Sequence, residues 1–136
     1  MTYIYLESSA ILKLYKSEAE SEALSEHLAS STHTTWVSSD LTQLEVIGNL
    51  TKLGISATHA KQLLRSILLV PIDSQIIQFG LDSMNLGLQA LDAIHHATAR
   101  IIGHELSAFV SYDLRLIEAV RQIGIPTISP GANPAG

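Results

Sequence analysis

Ala90-Leu91-Asp92-Ala93-Ile94-His95-His96-Ala97-Thr98-Ala99-Arg100-Ile101-Ile102, closed by Gly103, reads as an interior helix, and Ala108-Phe109-Val110-Ser111 shortly after it as a buried strand. Leu114 to Ile123, with Gly124 at its end, returns to helical spacing. A strand entered and left by helices belongs in a parallel sheet with right-handed crossovers, and this stretch therefore sets the fold.

Upstream the same alternation repeats. Tyr3 to Leu6 is a short apolar strand, and Ser8 or Ser9 can cap a helix carrying Ile11, Leu12, Leu14 and Tyr15. Glu18 to Ala29 is a second helix with acids at its start, Thr35 to Ser38 a strand, and Asp40 to about Leu53 a helix stopped by Gly54. Ala57 to Leu68, the strand or edge Leu69 to Ile72, and Ser74 to about Asn85 follow. Ile125 to Ile128 can only be an edge strand, because Pro126 supplies no ladder donor. The fold expected is three-layer α/β, with a mainly parallel central sheet flanked by helices. Residues 1–130 form one domain in this reading; Ser129 to Gly136 is a loose tail, assigned as a flexible C-terminal segment from 131 to 136.

The chain has 136 residues, 46% hydrophobic and only 15% charged, which excludes intrinsic disorder and suits one packed domain. With no cysteine there is no disulfide scaffold, thiol nucleophile or iron–sulfur cluster. No apolar run approaches the roughly 20 residues a membrane helix needs. The N-terminus carries no basic flank or cleavage site, so the expectation is a cytoplasmic chain without a membrane partner. A net charge of −5 argues against a DNA-binding module. It does not exclude a nuclease: setting four acids aside in a metal site leaves nine acids against eight bases.

Four acids fall where ligands bind in an open parallel sheet, outside the carboxyl ends of the strands. Glu7 follows the first strand, Glu45 lies early in the helix after Trp36-Val37, Asp92 opens the interior helix, and Asp113 follows Ser111-Tyr112. Their separations of 38, 47 and 21 residues are too long for a local cation loop, so only the fold can gather them. Oxygen ligands without cysteine suit Mg²⁺ or Mn²⁺, which can polarise a phosphodiester and activate a water. Taken singly, each acid has a plainer role as a strand end or helix-start acid, and Thr42 with Glu45 also matches a capping box.

Ile4-Tyr5-Leu6-Glu7-Ser8-Ser9-Ala10, Ser39-Asp40-Leu41-Thr42-Gln43-Leu44-Glu45, Leu91-Asp92-Ala93-Ile94-His95-His96-Ala97 and Phe109-Val110-Ser111-Tyr112-Asp113-Leu114-Arg115-Leu116 together resemble PIN-domain ribonucleases, in particular VapC-type toxins. The resemblance covers nearly the whole chain and implies a PIN-like (Rossmann-like) domain. It implies a divalent-metal-dependent endoribonuclease of a toxin–antitoxin system, with Mg²⁺ or Mn²⁺ held by Glu7, Asp92, Asp113 and Glu45, and Ser9 as an accessory group. It also implies a VapB-type antitoxin partner, an RNA substrate and a homodimer. One departure stands: the family has Asp where this chain has Glu7, which leaves open a functional variant, a weakened enzyme, or a deliberately attenuated one. Arg115 occupies a position where some family members carry a further acid.

The residues admit three other readings. Asp92, His95 and His96 share a helix face and could suggest zinc, but a third strong ligand is not evident. A receiver-like signalling module would need paired acids after the first strand and a late lysine; Ser8 follows Glu7, and no lysine occurs beyond Lys61. An inactive PIN fold acting through its antitoxin is the alternative that Glu7 keeps alive. Lys13, Lys52 and Arg115 could flank a phosphate path, and Tyr112 could stack a base.

Overall fold

The computed structural model describes residues 2–31 and 34–132. Five parallel strands, β1 (Tyr3–Leu6), β2 (Thr35–Ser39), β3 (Leu68–Val70), β4 (Leu106–Val110) and β5 (Thr127–Ile128), stand in the order β3-β2-β1-β4-β5. Around them lie α1 (Ser8–Tyr15), α2 (Ser21–Ala29), α3 (Leu41–Lys52), α4 (Thr58–Ser66), α5 (Ser74–Met84), α6 (Ala90–Ile102) and α7 (Leu114–Gln122). The chain builds outward from β1 through β2 to β3, then crosses to place β4 on the other side of β1. The topological switch point therefore falls between β1 and β4, where a ligand crevice is expected.

Strand periodicity divides the core into two. Ile4, Leu6 and Val110 face one cluster, closed by Ile11 of α1, Leu24 of α2, Leu50 of α3 and Leu64 of α4. Tyr5, Val37 and Phe109 face the other, closed by Ala93 and Ala99 of α6 and by Leu116 and Val120 of α7. Tyr5 is in register with Val37 on one side and Phe109 on the other, and its ring stacks on Phe109 at 4.7 Å.

The elements match the periodicity closely, and the differences have local causes. α2 begins at Ser21, not Glu18, because the Ser21 hydroxyl donates to the Lys16 carbonyl and accepts from the Glu18 N–H, closing a turn ahead of the helix. The cap of α1 is neither Ser8 nor Ser9 but Glu7, whose side chain accepts from the Ser9 N–H. Thr42 and Glu45 do not form a capping box: Thr42 bonds the buried Ser38 hydroxyl at 2.6 Å, and the first helical N–H, that of Leu41, donates to Ser39 Oγ. The segment beginning at Ser129 is fastened at its start, where the Ser129 hydroxyl donates to the Ser111 carbonyl and Tyr112 donates to that of Pro130. Gly131, at φ +82°, passes so close to α2 that a Cβ there would meet Ala23 at 2.9 Å. Residues 133–136 of the assigned tail lie outside the described residues.

Candidate active site

Glu7, Ser9, Glu45, Asp92 and Asp113 all line one open cleft of about 620 Å³ at the carboxyl ends of the strands. The fold thus gathers the residues that the sequence scatters. Glu7 leaves β1, Asp113 leaves the turn after β4, Asp92 sits in the first turn of α6, and Glu45 lies in the second turn of α3. Asp113 accepts from the Leu116 N–H as the cap of α7, while Glu7 caps α1. The N-termini of α1, α6 and α7 therefore point their positive dipole ends at the acids and favour their negative charge.

Glu7 is 5% exposed, and its carboxylate is enclosed by hydroxyls. One oxygen accepts from the Ser9 N–H at 3.0 Å; the other accepts from the Ser9 and Ser111 hydroxyls, the latter at 2.7 Å. The same two hydroxyls accept from the backbone N–H groups of Tyr112 and Asp113, so they tie Glu7 to the turn after β4. Glu45 is fastened differently. Its Oε1 accepts from Ser8 Oγ and lies 2.6 Å from His95 Nε2, and His95 is fully buried.

The electrostatics follow from this crowding. Partial burial, then the charge of Asp113, and then that of Glu7 push the Asp92 carboxyl up to about 6. Burial works against a charged His95, but its hydrogen bond to Glu45 and the charges of Glu7, Glu45 and Asp92 outweigh it and raise its pKa. Burial likewise works against a charged Glu45, yet His95 and Ser8 hold its pKa below the usual carboxylate value.

The packing decides two readings that the sequence leaves open. His95 and His96 do not share a metal with Asp92: His96 Nδ1 meets Ser83 Oγ at 2.6 Å, and its Nε2 lies 3.1 Å from the Ala119 carbonyl. Among the described residues, no three His, Asp or Glu side chains stand ready around one point. Of the three basic residues that could flank a phosphate path, Lys52 alone lines the cleft. Lys13 is paired with Glu20 at 2.9 Å and covers the ring of Tyr112, while Arg115 borders a separate depression with Leu86 and Glu118. Sequence reasoning also passed over the cleft's hydroxyl partners Ser8 and Ser111, and over Tyr5, whose hydroxyl lies 2.7 Å from His95 Nδ1. Alternation along Ile4-Tyr5-Leu6 marks Tyr5 as inward-facing but gives no sign of what its hydroxyl meets.

A parallel α/β domain with a carboxylate-lined cleft beside its topological switch point is the class that the fold and site define. The chain belongs to the PIN-domain family, whose model matches residues 4–122. It is 37% identical over 131 residues to Ribonuclease VapC46 of Mycobacterium tuberculosis, covering 96% of this chain and 99% of that protein. It is also 37% identical over 133 residues to Ribonuclease VapC35 of the same species, covering 94% and 97%. In fold it is similar to a toxin–antitoxin complex from Klebsiella pneumoniae, with a TM-score of 0.70 at 18% identity, covering 93% of this chain and 97% of that one.

Proposed function

We propose that this PIN-domain protein is the toxin of a toxin–antitoxin pair, a divalent-metal-dependent endoribonuclease that hydrolyses RNA to 5′-phosphate and 3′-hydroxyl ends. The observation that carries this reading is the convergence of Glu7, Ser9, Glu45, Asp92 and Asp113 on one cleft. Near full-length similarity to VapC ribonucleases supports it.

The donor set fits a hard cation. It is all oxygen, and the charges of Asp113 and Glu7 on the raised Asp92 carboxyl mark a cluster short of positive charge. Asp92 and Asp113 would hold Mg²⁺ or Mn²⁺ with Glu7, and Glu45 would ligate directly or through water. When bound, the cation supplies Lewis acidity, polarising the phosphodiester and lowering the pKa of a water for in-line attack. Lys52 at the cleft edge draws the phosphate backbone inward. Ser9 and Ser111 orient Glu7, which would have to release part of its hydroxyl cage to join Asp92 and Asp113. That cage, together with the Glu-for-Asp departure, favours a second reading: a weakened or inactive PIN protein that works mainly by binding its antitoxin.

The test is cleavage of varied RNAs by purified protein with Mg²⁺ or Mn²⁺. Cutting that EDTA stops, with 5′-phosphate products, is expected. Inertness towards every RNA, joined to an absence of saturable Mn²⁺ binding, would move the binding-only reading ahead.

The remaining parts of the reading are one domain over residues 1–130, a VapB-type antitoxin, a cytoplasmic location and a homodimer. No helix among the described residues is long and apolar enough to cross a membrane. Ile77, Leu81 and Met84 form an exposed apolar stripe along α5 at i, i+4 and i+7, which supports self-association. Equilibrium sedimentation should give twice the chain mass, and Leu81→Glu the chain mass; a wild-type monomer at all concentrations would remove the dimer.

A further inference from the structure

The Glu45 carboxylate is held from the interior of the fold by two buried groups, Ser8 and His95. Its Oε1 lies 2.6 Å from Ser8 Oγ and 2.6 Å from His95 Nε2. His95 is 0% exposed, and its other nitrogen, Nδ1, lies 2.7 Å from the hydroxyl of Tyr5, also 0% exposed. The two rings meet edge to face at 89°, and Tyr5 is itself pinned by stacking on Phe109. Both imidazole nitrogens are thus occupied, and the ring has one orientation in which Nε2 reaches the cleft.

We propose that Tyr5 and His95 form a buried relay that positions Glu45 for the reaction, fixing Oε1 and leaving Oε2 as the oxygen presented to the cleft. With a neutral imidazole, Tyr5 O–H donates to Nδ1 and Nε2–H donates to Glu45. With a charged one, Nδ1–H donates to the Tyr5 oxygen and Nε2–H still donates to Glu45. A hydroxyl can do either, so the bond to Glu45 is kept in both forms. A phenylalanine in place of Tyr5 would keep the packing but leave Nδ1 without a partner; the Glu45 carboxylate would still hold the proton on Nε2, and that bond alone would then set the ring's orientation. Outer hydrogen bonds of this kind set the orientation of a ligating or catalytic group. Tyr5 and His95 are positioning residues; neither lines the cleft.

The inference rests on the nuclease reading, and its test separates the two. On ¹⁵N-histidine-labelled protein free of cation and RNA, the neutral form of His95 should show a protonated Nε2 and a bare Nδ1, with sharp ring resonances. In Tyr5→Phe the ring resonances should broaden as the ring loses its second anchor. In RNA cleavage, Tyr5→Phe should lower kcat about 10–100-fold with KM unchanged, the range seen when an outer hydrogen-bond partner is removed. If Tyr5→Phe fails to fold, His95→Gln and His95→Leu decide: the amide can still donate to Glu45, so His95→Gln should retain clearly more kcat. An unchanged kcat in Tyr5→Phe once the ring is loosened would overturn the relay, as would equal kcat in His95→Gln and His95→Leu. A fixed imidazole in a wild-type protein that cuts no RNA would count against the nuclease reading and leave the relay standing.

Discussion

Asp92→Asn should make the metal-free protein more stable at pH 7.5 while lowering RNA cleavage about 10²–10³-fold, the range for removing one preorganised electrostatic group. The Asp92 carboxyl is pushed up to about 6 by burial and by the charges of Asp113 and Glu7. The folded state therefore binds more protons than the unfolded one between the usual carboxylate range and pH 6. A group with a raised folded pKa contributes stability below its unfolded value and loses it as pH rises through the folded one. At pH 7.5 the wild type carries the full repulsion, and Asn, neutral at every pH, does not. Allowing for solvent screening of a partly exposed group, the gain is about 1–2 kcal/mol. It should vanish near pH 4, where the wild-type carboxyl is also protonated. Mn²⁺ should then stabilise the wild type by mass action far more than the variant. Urea midpoints at pH 4, 6 and 7.5, with and without Mn²⁺, measure all of this. A variant less stable than the wild type at pH 7.5 would mean that Asp92 is a structural acid and not one held under repulsion for function.

The helices and strands were legible because burial repeats with the period of each element, as in α6, whose bounds Ala90–Ile102 match the sequence reading. The acids were legible because strand ends are fixed by topology. What stood outside reach were contacts made by single polar groups inside apolar patterns. Tyr5 and His95 are 90 residues apart, and nothing in either neighbourhood announces the other. Ser111 at the end of an apolar strand reads as an ordinary boundary, yet its hydroxyl joins Glu7 to the Asp113 backbone. The cap of α1 was misassigned for a related reason: Ser8 and Ser9 are better caps by type, but the Ser8 hydroxyl is drawn to Glu45 and the Ser9 hydroxyl to Glu7. Competition between partners, not propensity, decided it.

Glu7→Asp should raise cleavage about tenfold or more, corresponding to roughly 1.4 kcal/mol of barrier, while changing stability by less than about 1 kcal/mol. Glu7 sits in extended backbone at φ −76° and ψ 158° as the cap of α1, a position that Asp fills among the best of all residues. The shorter side chain keeps the bond from the Ser9 N–H but cannot reach the Ser9 and Ser111 hydroxyls as the glutamate does. An oxygen now held by those hydroxyls is released towards Asp92 and Asp113. Misplacement of a reacting group by about 1 Å can cost about 10²-fold, so a shift of one methylene is enough to govern the rate. The gain should be larger with Mg²⁺, which demands near-ideal geometry, than with the more forgiving Mn²⁺. Glu7→Ala separates the cap from the chemistry. It removes the cap and leaves the buried Ser111 hydroxyl and the half-buried Ser9 hydroxyl without their acceptor, costing about 2–4 kcal/mol, and cleavage should disappear. Steady-state cleavage in both metals, beside thermal midpoints of the three proteins, gives the comparison. If Glu7→Asp cut more slowly than the wild type in both metals, the hydroxyl cage would be the working geometry of this site, and the glutamate an adaptation, not an attenuation.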